Sequence, residues 1–216
     1  LGIRGVNLYV PHAFYYSVAG KRKDERPPDV GPNNIWWSHY RKFSDYIKRM
    51  SYLMTDSFNE AKVAVLCDNN QVPYRELAVM FEQQVAFHYL PVTFLKNSHV
   101  QDGKLCIGAY QYEVVLNTLN QNWNEFIAKG ADGSTVQIMA HAADLIKQEK
   151  WHTVKLAQPC KELRAAKLTK LGTTMYLLSN ESEKVLQTTM HLSEEGTPII
   201  ADLWKNVWYK AEEKQG

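Results

Sequence analysis

Residues 62–68, with the sequence KVAVLCD, form a short run of β-branched and apolar side chains that is typical of a strand buried on both faces. Pro73 follows, and the apolar positions between Tyr74 and His88 then recur at the spacing of one helical face. This stretch therefore predicts a strand followed by an amphipathic helix, the repeating unit of an α/β fold.

The same alternation continues downstream. VTFL (92–95) and KLCI (104–107) flank the turn-forming segment NSHVQDG and predict a hairpin or a pair of short strands, while YEVVL (112–116) predicts another buried strand. QNWNEFIAKG (121–130) predicts a short helix that ends at Gly130, TVQIM (135–139) a strand and AADLIKQE (142–149) a helix. We therefore expect an α/β fold with a three-layer, open and mostly parallel sheet.

Upstream of this region, residues 5–10 read as a buried strand that Pro11 ends. A long loop follows, and its KRKDERPPDVGP segment holds three of the eight prolines of the chain. Apolar residues between Tyr40 and Met54 then recur at helical spacing. Strand, loop and helix predict one βα unit, and the polar segment TDSFNEA (55–61) predicts the boundary after it.

The last quarter of the chain has a different period. LTKLGTTMYLLSN (168–180) and KVLQTTMHL (184–192) predict two strands joined by a turn at NESEK, and TPIIAD (197–202) and NVWYKA (206–211) predict further strands. We therefore expect an antiparallel β region here and place domains at residues 1–58, 59–158 and 159–216. The chain begins at Leu1 inside a strand pattern, so we read it as a piece of a longer polypeptide.

Composition limits the class of protein. The 216 residues are 45% hydrophobic, which is enough for a packed core, and 25 basic against 23 acidic residues give a net charge of +2. This balance predicts neither nucleic acid nor an anionic membrane as a partner. The three cysteines are widely spaced in apolar runs, which favours reduced core thiols over a disulfide or zinc framework.

Several motifs are absent from the sequence. The loop after the first α/β strand, CDNNQVPY, has no glycine, serine or threonine to bring backbone N–H groups close to a phosphate, so mononucleotide binding is not expected. Cys106 is the nearest candidate for an amidotransferase nucleophile, but a strand pattern follows it instead of a helix. No Walker loop, dinucleotide fingerprint, HExxH pair or paired CxxC is present, and we predict no cofactor and no metal.

The loop after the first predicted strand is the densest in polar and aromatic groups. His12 could bond a ligand hydroxyl or a backbone carbonyl, and Tyr15 and Tyr16 could stack on a sugar ring or pack in a core. Trp36 and Trp37, at the start of the predicted helix, could form a sugar platform or seal the helix against its neighbours.

The acidic residues of this loop have two interpretations. Asp24, Glu25 and Asp29 could supply an acid/base pair for glycoside hydrolysis. Lys21, Arg22, Lys23 and Arg26 surround them, so local ion pairing is the stronger interpretation.

Five segments together carry a resemblance: GVNLYVPHAFYYS (5–17), DERPPDVGPNNIWWSHYRKFSDYIKRMSYL (24–53), AKVAVLCD (61–68), YEVVL (112–116) and TMYLLSNESEKV (174–185). In this order the chain resembles large bacterial glycoside hydrolases of the α-L-rhamnosidase kind. The resemblance implies the last strand, loop and helix of a (β/α)8 barrel, then an amidotransferase-like α/β domain, then the start of a β-sandwich.

The resemblance also implies a function. The catalytic carboxylates of such enzymes lie on earlier barrel strands, so none is carried over to this chain, which would be an inactive portion of a carbohydrate-degrading enzyme in the periplasm or outside the cell. His12, Tyr15, Tyr16, Asp24, Trp36 and Trp37 are then the expected substrate-binding residues. The alternatives are a non-enzymatic α/β scaffolding or oligomerisation module, which could be a homo-oligomer, and a small-molecule sensor that binds a ligand at the CDNNQ loop.

Overall fold

The computed structural model describes residues 1–12, 19–21, 29–119 and 130–211. Contacts along the chain divide it into two compact units. The first comprises Leu1–Ser57 with Glu194–Gly216, and the second comprises Phe58–Ser193. The three-domain division expected from the sequence stays a prediction.

Among the described residues the strands are short, and two antiparallel hairpins are the most regular features. The strands are β1 (Phe58–Asn59), β2 (Val63–Cys67), β3 (Phe87–Pro91), β4 (His99–Gln101), β5 (Lys104–Ile107), β6 (Tyr110–Tyr112), β7 (Val114–Asn117), β8 (Gln137–Met139), β9 (Lys155–Leu156), β10 (Leu163–Lys170), β11 (Thr173–Asn180), β12 (Met190–His191), β13 (Ile199–Asp202) and β14 (Val207–Lys210). The α-helices are α1 (Tyr40–Met54), α2 (Ala78–Glu82) and α3 (Ala142–Leu145). Short 3₁₀-helices cover Gly2–Arg4, Trp37–His39, Val92–Asn97 and Glu149–Trp151.

A four-stranded parallel sheet organises the second unit. Its order is β3-β2-β7-β8, and every residue of β2 is buried, as the apolar run at residues 62–68 predicts. Parallel strands need crossovers on the faces of the sheet, so a central strand loses contact with water on both sides. The α/β class expected from the sequence is therefore confirmed.

The two faces of this sheet are covered differently. Val63 and Val65 point to one face, where they share a core with residues of α2, α3 and the segment around Trp151. Ala64 and Leu66 point to the other, where the core includes Leu95, Leu105 and Tyr112. Within the described part of the chain, this second face is covered by the antiparallel sheet β4-β5-β6 and the 3₁₀-helix Val92–Asn97.

Two hairpins make up most of the antiparallel β region. β1 adds to the first hairpin, β10–β11, and of the strand predicted at 184–192 only β12 forms, pairing with β9. β10 and β11 pair over their whole length, from Leu163 opposite Asn180 to Lys170 opposite Thr173. Their turn is Leu171–Gly172, so the predicted turn at NESEK is wrong as the connection of the main hairpin. β13 and β14, predicted as strands, form the second hairpin, which belongs to the first unit.

The predicted strand at residues 5–10 is also wrong. The chain forms a 3₁₀ turn at Gly2–Arg4 and then runs without regular structure, with Leu8 72% and Val10 81% exposed. A strand exists only when its backbone groups pair with a neighbour, and the segment has no such neighbour among the described residues. The helix predicted at Tyr40–Met54 is present as α1.

The region after Pro73 differs from its prediction as well. The helix is only Ala78–Glu82, and His88 lies in β3 rather than on the helix. Gln84 takes a left-handed conformation (φ 52°) and ends the helical path, so that Phe87–Pro91 can align with β2. VTFL forms a 3₁₀-helix instead of a strand, and the helix predicted at 121–129 lies outside the described residues.

Candidate functional site

Four aromatic side chains form an exposed ledge at the start of α1. The ring of Tyr40 stacks on Trp37 with centroids 5.0 Å apart and planes 21° apart, and Trp36 lies at 5.9 Å on the same ring. Phe43 extends the row at 5.9 Å from Tyr40. Trp36, Trp37 and Phe43 are 40%, 36% and 45% exposed. We call these four residues the aromatic ledge.

Local sequence positions the ledge. The Asp29 carboxylate accepts a hydrogen bond from the N–H of Gly31 at 2.8 Å, and the Asn34 side chain donates to the Asp29 carbonyl at 2.7 Å. The Asn34 amide oxygen in turn accepts from the Trp36 N–H at 3.2 Å. These bonds shape the turn that enters the 3₁₀-helix Trp37–His39, and the three- and four-residue spacing then places the rings side by side.

The predicted binding residues separate into three groups. Trp36 and Trp37 come together on the ledge, where both keep an exposed surface. His12 is exposed on the N-terminal segment. Tyr15, Tyr16 and Asp24 lie outside the described residues. Asp29, weighed as part of an acid pair, is buried and accepts a bond within its own turn, which favours the structural interpretation.

The ledge offers flat apolar faces rather than acid or base groups. Such rings can pack against the C–H face of a sugar or another flat ligand, while the indole N–H groups can bond hydroxyls. The one carboxylate beside them on α1, Asp45, is paired with Arg41 at 3.6 Å. The ledge is therefore suited to binding and not to acid/base catalysis.

The CDNNQ loop at the carboxyl end of β2 is the second place where ligand binding was expected. Asp68, Asn69 and Asn70 are all exposed. The Asp68 carboxylate accepts from the Asn70 N–H at 3.0 Å, and Asn69 accepts from the Thr93 hydroxyl at 2.9 Å. These groups bond one another across an open surface, so the loop shows no preformed ligand site.

The half-buried His88 and the buried Tyr112 form a pair that the sequence pattern does not predict, because it places His88 on a helix. His88 Nδ1 lies 3.1 Å from the Tyr112 hydroxyl, and Tyr110 packs edge-on to the imidazole at 5.0 Å. Burial lowers the pKa of His88, and burial with the neighbouring Tyr110 raises the pKa of Tyr112 to about 12. Both groups are therefore neutral at pH 7, and the pair fastens β6 to the edge strand β3.

The sequence analysis also does not predict a charged cleft, because its walls come from five separate segments of the chain. It has a volume of about 290 Å³ and lies within the second unit. Lys167 pairs with Glu60 at 3.1 Å, Lys155 pairs with Glu149 at 2.8 Å, and the Lys150 ammonium lies 4.2 Å from the centroid of the Trp151 ring. Ion pairs and this cation–π contact account for three of its lysines without a ligand.

Cys106 does not have the setting of a nucleophile. It lies in β5, its side chain is buried, and its Sγ contacts the Lys104 carbonyl at 3.8 Å. The three cysteines are free thiols; Cys67 and Cys106 are buried, as expected for core thiols, whereas Cys160 is only half-buried.

Comparison of the chain with protein-family models, with curated proteins and with solved structures finds no match in any of the three. None of the described helices is both long enough and apolar enough to cross a membrane. The part of the chain that the structure describes contains no group of three His, Cys, Asp or Glu side chains arranged to hold a metal ion.

Proposed function

We propose that the chain is a non-catalytic portion of a carbohydrate-degrading glycoside hydrolase. It contributes part of a sugar-binding wall and an accessory α/β domain, and a carbohydrate is its ligand through the parent enzyme. The observation that carries this proposal is the aromatic ledge, a row of rings held by local hydrogen bonds with their surfaces left open. An extracytoplasmic location belongs to the same proposal.

The parallel sheet supports the accessory-domain part of the proposal. Numbered along the chain, its strands have the order 2-1-3-4, which is the order of flavodoxin-like folds. A three-layer flavodoxin or amidotransferase-like domain would have this arrangement. The open CDNNQ loop and the buried Cys106 favour an accessory role over a nucleotide-binding or amidotransferase role.

The first unit supports the barrel part of the proposal. Its helix α1 carries an apolar face, yet only Met50 and Met54 of that face are buried, while Phe43 is 45% exposed. A helix whose apolar face is only partly covered by the described residues is suited to packing against a further layer. The outer helix of a (β/α)8 barrel has such a layer in the barrel strands.

The ledge is tested by titrating the chain with L-rhamnose and following tryptophan fluorescence and NMR shifts. We expect weak, saturable binding that Trp37→Ala removes, because this ring stacks on Tyr40 and forms the centre of the ledge. Tyr52→Ala is the matched control, since Tyr52 is an exposed aromatic residue on the same helix. Equal binding by the two variants would contradict the proposal, as would no binding of any neutral monosaccharide.

Catalysis is tested separately. The isolated chain should not hydrolyse aryl rhamnosides or related aryl glycosides, because the ledge holds aromatic rings and no free pair of carboxylates. Glycoside hydrolysis that co-purifies with the chain and is unchanged by Trp37→Ala would show that the chain has a catalytic centre away from the aromatic ledge.

A scaffolding or oligomerisation module is the second candidate. The observation in its favour is the hairpin β13–β14, whose large side chains are exposed on both faces. Light scattering tests this candidate: a chain that is monomeric at all concentrations would contradict it, whereas the sugar-binding proposal is compatible with either oligomeric state.

A further inference from the structure

The hairpin formed by β13 and β14 exposes large apolar side chains on both of its faces. Ile199 and Trp208 are each 66% exposed, Tyr209 is 51% and Val207 is 45% exposed, and Trp204 in the turn is 57% exposed. Side chains that point to opposite faces of a strand are thus both uncovered. A two-stranded hairpin in water is only marginally stable by itself.

Within the described residues, one edge of the β14 backbone has no pairing strand. The register places Tyr209 opposite Ile200, and the Ala211 N–H bonds the Pro198 carbonyl at 3.0 Å. Because N–H and C=O directions alternate along an antiparallel strand, Tyr209 faces β13 while Trp208 and Lys210 direct their backbone groups outward. Within the described residues the sheet has only these two strands.

The exposed apolar side-chain area of the hairpin is comparable to the largest apolar patch on a typical monomer. With aromatic side chains of about 150–250 Å² each, the uncovered side chains of the hairpin amount to roughly 500 Å². The largest apolar patch of a typical monomer is about 300–600 Å², and a standard interface buries about 800 Å² on each partner. Pairing along the β14 edge covers its outward backbone groups and the flanks of Trp208, Tyr209 and Lys210 but leaves both faces of the sheet exposed. The contact is therefore smaller than a standard interface, and we expect a weak dimer that forms as the concentration rises.

We propose that β14 pairs antiparallel with β14 of a second copy of this chain, about a two-fold axis at Tyr209. Only this register, with Tyr209 opposite the partner's Tyr209, lets the outward backbone groups of Trp208 and Lys210 bond each other in both directions. Four backbone hydrogen bonds form, and the two hairpins become one four-stranded sheet.

The side chains fit the same register. Trp208 of each copy lies across from the partner's Lys210, which permits two cation–π contacts, and the two Tyr209 rings form a cross-strand pair. No like charges face each other. The outward residues of β13 are Ile199 and Ala201, which offer less side-chain surface and no cation–π pair.

The experiment is size-exclusion chromatography with light scattering over a concentration series of the full chain. We expect a concentration-dependent dimer. Lys210→Pro removes an outward N–H that makes no bond within the hairpin, and should raise the dimer dissociation constant about tenfold or more. Ala201→Pro, the matched control, removes an outward N–H from the opposite edge and should leave the dimer intact. Far-UV circular dichroism verifies that both variants fold.

A second variant tests the side-chain register. Trp208→Ala should raise the dissociation constant several-fold through loss of the cation–π contacts. A chain that stays monomeric at all concentrations would overturn the inference, and so would a dimer weakened equally by Ala201→Pro and Lys210→Pro. The inference does not rest on sugar binding, because the three hairpin variants leave the aromatic ledge unchanged. Conversely, Trp37→Ala, which alters the ledge, should leave the dimer dissociation constant unchanged.

Discussion

At the scale of single residues, Gln84 joins three parts of the second unit. It is 5% exposed, and its side-chain amide donates to the carbonyls of Cys160 and Leu163 at 2.9 and 2.8 Å. The main-chain carbonyl of Gln84 accepts a hydrogen bond from the Thr153 N–H at 2.8 Å. A single side chain thereby connects the end of α2 to the start of β10.

Gln84→Met should lower the free energy of unfolding by about 2 kcal/mol. Methionine keeps the volume but leaves the buried carbonyl groups without a donor, and an unsatisfied buried group costs about 1–3 kcal/mol. Urea denaturation measures the change, with Gln111→Met as the control because Gln111 is exposed in β6. A loss no greater than that of the control would show that these hydrogen bonds contribute no net stability.

His88 makes stability depend on pH. Burial lowers its pKa below the usual value of 6.5, so the unfolded chain binds a proton at a pH where the folded chain does not. Stability from this residue is therefore present above pH 6.5 and is lost as the pH falls from there through the folded-state pKa. The Tyr112 hydroxyl, which lies against the imidazole, has a pKa raised to about 12, so it stays uncharged in this range and does not oppose the effect.

His88→Gln should reduce the loss of stability between pH 7.5 and pH 5, since glutamine keeps a hydrogen-bonding group but does not titrate. Urea denaturation at several pH values gives the comparison. His99→Gln removes an exposed imidazole and should retain the wild-type pH dependence. If His88→Gln and the wild type lose stability in parallel, His88 is not responsible for the dependence.

At the scale of elements, the β10–β11 hairpin has a two-residue turn with an unfavourable residue in it. Leu171 and Gly172 both take positive φ, 50° and 75°, which is the pattern of a type I′ turn. Glycine adopts this conformation without steric cost, whereas leucine does so at about 1–2 kcal/mol. The Leu171 side chain is 91% exposed and gains no packing in return.

Leu171→Asn should therefore raise the free energy of unfolding by about 1 kcal/mol, because asparagine tolerates the left-handed region and Asn-Gly is the favoured pair for this turn. Thermal and urea unfolding measure the gain. Val185→Asn is the control at another exposed apolar position without positive φ. A decrease in stability would mean that the turn does not persist in solution.

At the scale of the whole molecule, the apolar core is divided very unequally between the two units. All the buried apolar residues described, except Met50 and Met54, belong to Phe58–Ser193. The other unit holds the aromatic ledge and the exposed hairpin, and its helix is joined to the β13–β14 turn by the bond from Arg49 to the Leu203 carbonyl at 2.6 Å. Among the described residues, the apolar core therefore lies almost entirely in the unit Phe58–Ser193.

Residues 58–193 expressed by themselves should consequently fold and unfold cooperatively. Both clusters that cover the parallel sheet lie inside this range, so the burial that drives folding is retained. Denaturation of this segment and of the whole chain should give similar midpoints for the transition of the sheet. Loss of cooperativity in the segment would show that the first unit contributes to the core.

The local spacing of apolar residues predicted the secondary structure correctly where one physical requirement dominated. The strand Val63–Cys67 was predictable because a continuous apolar run excludes a solvated face, and α1 because its apolar residues repeat at helical spacing. The sequence singled out Trp36 and Trp37 as either a platform or a seal, and their contacts with Tyr40 depend on the turn built by Asp29 and Asn34. The pattern at Tyr74–His88 failed because pairing with β2 outweighed helical periodicity.

The sequence by itself determined the α/β class, the central buried strand, the main helix and the antiparallel character of the final region, since each follows from periodicity within a few residues. Only the tertiary structure decided that residues 5–10 form no strand, that His88 meets Tyr112, and that the hairpin turns at Leu171–Gly172. These features depend on which distant segment supplies a hydrogen-bonding or packing partner, and local spacing does not specify that partner.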